Sequence, residues 1–124
     1  MATNNEKKCL RDKVNALKKR IEEHENELKK PTGKVQFGDP SLVADVLSHC
    51  YADLGNIYLS INNVKEAKNA FENAKKYSLM HIKNEYNFEG GDLEITLEGA
   101  ESFWNKILEK LRKGQLKTNE VNLP

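Results

Sequence analysis

The sequence predicts an all-α protein of four helices. Apolar residues recur mainly at helical spacing, and the Lys/Glu-rich stretch from Asn5 to Lys30 contains no Gly or Pro. Breaks of the right chemistry then divide the chain: Pro31-Thr32-Gly33, Asn62-Asn63, Gly90-Gly91 and Gly114. Its 124 residues, 38% hydrophobic and 31% charged, suit one modest core under a charged surface.

The first helix is expected over about Asn5 to Lys30, stopped by Pro31 and Gly33. In Lys34 to Gly38, Val35 and Phe37 alternate, which predicts a brief extended piece against the core. Asp39 and Pro40 read as N-cap and first helical residue of a second helix running to about Ile61. Asn63 is the expected N-cap of a third helix, with Glu66 three residues on, continuing to about Asn87. A fourth helix should start between Asp92 and Thr96 and run to Lys113, with Gly114 as its stop. Its core stripe is Leu93, Leu97, Ala100, Trp104, Ile107 and Leu111, broadened by Phe103 and Leu108. The tail from Gln115 to Pro124 has no periodicity and is expected to be mobile.

In the first helix, Leu10, Val14, Leu17, Ile21, His24 and Leu28 follow four- and three-residue steps, a short heptad seam. Two uses stay open: packing on the chain's own hairpin, or pairing with a second chain. The number of apolar faces to be covered favours self-association, a dimer first, with a lean toward antiparallel pairing. Within that seam His24 could be a pH-dependent weak point; the simpler expectation is a ring edge left in solvent.

From Tyr51 the order is Tyr51-x2-Leu54-Gly55-x2-Tyr58, followed by Ala67-x3-Phe71-x2-Ala74. These types and spacings resemble the helix–turn–helix unit of the tetratricopeptide-repeat (TPR) family, over about Ser48 to His81. The resemblance implies a close crossing at Gly55, with Ala67 as the matching small surface and larger side chains filling the space between. It departs at Leu79, where the family commonly has Pro, so the helix should carry on and no second unit should follow. It also implies a partner-facing surface at His49, Ala52, Asn56, Leu59 and Ser60. Ala52 stands where a carboxylate clamp would want a cation, so a helix or extended peptide is the expected ligand. On this reading the chain divides into a heptad helix (1–33), a TPR-like hairpin with a C-terminal capping helix (34–114) and a tail (115–124).

Other signals are weaker. The formal net charge of +1 gives no general pull on polyanions, and basic clusters such as Lys18-Lys19-Arg20 are interleaved with acids, which argues against nucleic acid. No apolar run is long enough for a membrane span, and the polar start, Met1 to Lys8, argues against a signal peptide. Cys9 and Cys50 are too separated for a redox pair and fit free thiols in a cytoplasmic protein. His49, Cys50 and His81 match no metal-ligand spacing, and no nucleophile–base constellation indicates an enzyme; neither metal nor cofactor is expected. The sequence therefore points to a non-catalytic, self-associating TPR-like adaptor or assembly factor. A chaperone for an assembling or secreted subunit and a nucleic-acid accessory factor are the alternatives.

Overall fold

The computed structural model describes residues 4–28, 40–85 and 92–116, all helix apart from the short turns. Four helices follow in order: α1 (Asn4–Leu28), α2 (Pro40–Ser60), α3 (Val64–Glu85) and α4 (Asp92–Arg112). The expected extended piece at Val35 and Phe37, the Asp39 cap, and the tail beyond residue 116 lie outside the described residues.

Local chemistry sets the helix ends. At the close of α2, Asn62 takes a left-handed conformation (φ 61°). Its N–H donates to the Leu59 carbonyl at 3.0 Å, and that of Asn63 to the Tyr58 carbonyl at 2.8 Å. This double bond pattern is a Schellman cap, and Asn is the side chain that tolerates its left-handed residue after Gly. Asn63 then reverses role. Its Oδ1 accepts the Glu66 N–H at 3.3 Å and caps α3, as the spacing predicts. The end of α4 repeats the device at Gly114 (φ 71°), whose N–H reaches Leu111 while that of Gln115 reaches Lys110. The chain beyond that cap turns inward: Leu116 is buried in the core, where a loose tail had been expected to begin.

A three-residue turn forces α2 and α3 into an antiparallel hairpin. Each helix packs on its neighbour in sequence, α1 on α2, α2 on α3 and α3 on α4. Among the described residues α1 and α4 do not meet, so the layout is a row of helices rather than a closed bundle. One core nevertheless includes residues from all four, with Trp104, Phe71, Leu47 and Val43 as its largest fully buried side chains. Of the α4 stripe, Trp104, Ile107 and Leu111 are buried and Leu97 and Leu108 partly so. Phe103 differs from expectation: it is 39% exposed and packs edge-on against Trp104 at 5.1 Å. It sits about 100° around the helix from Trp104, off the centre of the buried arc.

The tightest point of the hairpin is Gly55. A Cβ there would lie 2.6 Å from Cε1 of Phe71, a ring with no exposure at all. The nearest neighbour of Gly55 is thus the Phe71 ring rather than Ala67, and Ala67 and Ala74 lie fully buried on the same helix as that ring. Helix propensity alone would favour Ala over Gly by about 1 kcal/mol, but forcing a methyl into a filled core costs about 1–3 kcal/mol. With the ring enclosed on all sides, the steric cost wins. Gly99 on α4 offers the control, since nothing lies within 4 Å of a Cβ built there. In urea denaturation Gly55→Ala should lower stability by about 1–2 kcal/mol, whereas Gly99→Ala should raise it by about 0.5–1 kcal/mol.

Candidate functional site

α1 lies antiparallel along α2, and its second half is held more firmly than its first. Ile21 and His24 are buried, whereas Leu10, Val14 and Leu17 are only partly so. The firm end is organised by Glu25. One oxygen, Oε2, accepts hydrogen bonds from the hydroxyls of Tyr77 at 2.7 Å and Tyr51 at 3.0 Å. The two tyrosine rings are stacked, 5.8 Å apart and nearly parallel, one from α3 and one from α2. A single carboxylate on α1 therefore ties down both helices of the hairpin, and bonds of this charge-assisted kind are about twice as strong as neutral ones. Lys18 adds a weaker link, its Nζ 5.9 Å from the centre of the Tyr58 ring.

His24 corrects its expectation: it is buried, not edge-exposed. Its Nδ1–H donates to the Arg20 carbonyl at 2.8 Å, which satisfies one nitrogen inside the helix and lets the ring pack inward. The whole seam, Leu10, Val14, Leu17, Ile21, His24 and Leu28, belongs to the helix that covers the chain's own hairpin; Ile21 is part of the core, and Val14, Leu17 and Leu28 pack against it. Of the two uses left open by the sequence, the fold displays packing within the chain.

At the looser end α1 and α2 enclose a groove of about 670 Å³. Leu10, Ala16 and Leu17 line it from α1, with Lys13 and Arg20 beside them; Asp53, Asn56, Ile57 and Ser60 line it from α2. The residues implied as partner-facing are split by this arrangement. Asn56 and Ser60 line the groove, with Asn56 buried and Ser60 exposed. Ala52 is buried at 3% exposure and offers no surface to a partner. Leu59 is partly buried against the core. His49 stands apart, its Nε2 3.3 Å from Asp45 Oδ1, an oxygen that His81 approaches at 4.0 Å.

Among the described residues, no group of three His, Cys, Asp or Glu side chains is arranged to hold a metal ion, and no helix is long and apolar enough to cross a membrane. Cys9 is exposed and Cys50 buried, both as free thiols, and burial pushes the Cys50 thiol up from its ordinary range. Comparison with known protein families, with curated proteins and with solved structures gives no match.

Glu25 and Lys13 were not singled out as site residues by sequence reasoning, and Arg20 entered it only within the basic cluster Lys18-Lys19-Arg20. One signal was available for Glu25. Tyr51 and Tyr77 fall on apolar helix faces, and a buried hydroxyl needs an acceptor. Burial, and then the nearby Glu25 charge and hydrogen bond, push both phenols well above the ordinary tyrosine value of 10.0. Because the folded state holds these protons more tightly than the unfolded chain, the linked stability is complete below pH 10 and is lost as pH rises above it. Denaturation between pH 9 and 12 should show a steeper loss for the natural chain than for Tyr51→Phe/Tyr77→Phe. Lysine titration is common to both proteins, so parallel curves would remove the tyrosines from the account.

Proposed function

We propose that the chain is a non-catalytic protein-interaction module: a small adaptor whose TPR-like hairpin supports a groove for a partner's helix or peptide. The observation that carries this reading is the groove itself, which has an apolar floor of Leu10, Leu17 and Ile57 and polar rims, built on two helices. Support for the TPR likeness comes from the Gly55–Phe71 approach, the fully buried Ala67 and Ala74, and the row-like order of the helices. α4 then acts as the cap of a one-unit array, burying Trp104, Ile107 and Leu111. The free thiols suit a cytoplasmic setting.

Self-association through α1 would need that helix to leave the hairpin and break both tyrosine bonds to Glu25. The working unit in this proposal is accordingly one chain, and sedimentation should give a mass near 14.2 kDa. Leu17→Asp, which places a charge on a partly buried position, should lower stability by about 1–3 kcal/mol without changing that mass. A natural chain of twice that mass, reduced to monomers by Leu17→Asp, would restore the interchain seam. The binding role is tested by a photo-crosslinking residue at Ser60, on the groove rim, or at Glu101, on the exposed side of α4. A saturable protein adduct from Ser60 alone is expected; equal labelling from Glu101 would move the site elsewhere.

A further inference from the structure

We propose that the groove between α1 and α2 receives an acidic amphipathic helix of a partner protein, with its apolar stripe on Leu10, Leu17 and Ile57 and its carboxylates on Lys13 and Arg20. The inference rests on the interaction-module reading and adds the chemistry of the partner.

Spacing comes first. Leu10 and Leu17 are seven residues apart on α1, as are Lys13 and Arg20. Both pairs therefore repeat at about 10 Å along the groove, two helical turns. An incoming helix lying alongside presents its own apolar residues and its own flanking charges at that same pitch. The floor is only partly covered by the chain itself, since Leu10, Leu17 and Ile57 all keep some exposure.

Charge gives the sign. Neither Lys13 nor Arg20 is in an ion pair among the described residues, which is equally true of Arg11 and Lys19 on the same helix; what distinguishes Lys13 and Arg20 is their place on the groove lining. The facing wall is neutral at Asn56 and Ser60 and carries a single acid, Asp53. The lining sets two cations, Lys13 and Arg20, against one acid, Asp53. The rim thus has a surplus of positive charge beside apolar surface. No lining residue is aromatic, so the groove offers no platform on which bases could stack, and a protein helix fits it better than a nucleic-acid strand.

The test is selection of a displayed library of helical peptides, randomised in both apolar pattern and charge, on the full chain. Recovered peptides should carry apolar residues at i, i+3 or i+4, and i+7, with an excess of Asp and Glu. Their affinity, read by fluorescence anisotropy, should fall at least tenfold on Lys13→Glu/Arg20→Glu. Lys8→Glu/Lys19→Glu is the control: it changes net charge equally, at exposed α1 positions outside the groove lining, and should change affinity less than threefold. Circular dichroism melts verify that both variants keep the fold. Neutral or basic peptides recovered in the groove would overturn the charge assignment and leave the interaction module standing. Loss of affinity equal in both double variants would also overturn it, reducing the effect to net charge. No enrichment at all would overturn the module reading with it. Tighter binding of a single-stranded oligouridine than of any peptide, abolished by the same groove variant, would replace the partner class with nucleic acid.

Discussion

One oxygen atom decides how this chain is arranged. Glu25 Oε2 takes hydroxyl donors from both helices of the hairpin, and the residue itself belongs to the helix that lies across them. Glu25 is only partly buried, and a carboxylate drawn partly out of water is held best where donors meet its lone pairs. Ile21, one turn earlier, and His24, the preceding residue, are both buried. Apolar burial supplies most of the attraction, at roughly 25 cal/mol per Å², but it is indifferent to small slips. The polar bonds fix rotation and register.

Beneath that helix stands a hairpin whose geometry follows from one missing side chain. Gly55 lets the Phe71 ring enter the space a Cβ would fill, and the stacked Tyr51–Tyr77 pair forms one step further along the same interface. Large and small side chains interlock there as close packing demands. On the far side α4 adds Trp104 to the shared core, with Lys75 reaching across to Asn105 at 2.9 Å. α1 covers α2 on one side of the hairpin and α4 covers α3 on the other, and all four helices contribute to one core.

Much of the fold was legible in the sequence because its signals are local. Asn63 as a cap, Gly114 as a stop, the helical continuation past Leu79, and burial of Phe71, Trp104 and Ile107 follow from neighbouring residues. What was not legible depends on distance in the chain. A heptad seam reads the same whether it meets its own hairpin or another molecule, and the contact from Glu25 to Tyr77 joins residues 52 apart in the chain, beyond the reach of local pattern. His24 reads as a defect in an apolar layer until its bond to the Arg20 carbonyl is seen. Leu116 has no periodic company, and nothing local announces that the chain after the Gly114 cap points inward. Of the candidate site, Asn56 and Ser60 could be named from the repeat pattern; Lys13 and Arg20 could not, because their relevance depends on where α1 lands.

The position of α1 can be measured directly. Cys9 is exposed and Cys50 buried, so a nitroxide attached under native conditions marks the start of α1 alone. Leu10, the next residue, lines the groove opposite Ile57 and Ser60. In a uniformly labelled chain, paramagnetic broadening should therefore be strong at the amides of Ile57 to Ser60 and weak at Glu101 to Asn105 on α4. Mixing nitroxide-bearing, isotope-free protein with isotope-labelled, nitroxide-free protein separates contacts within one chain from those between chains. The account predicts broadening in the first sample and none in the mixture; broadening at Ile57 to Ser60 only in the mixture would contradict it.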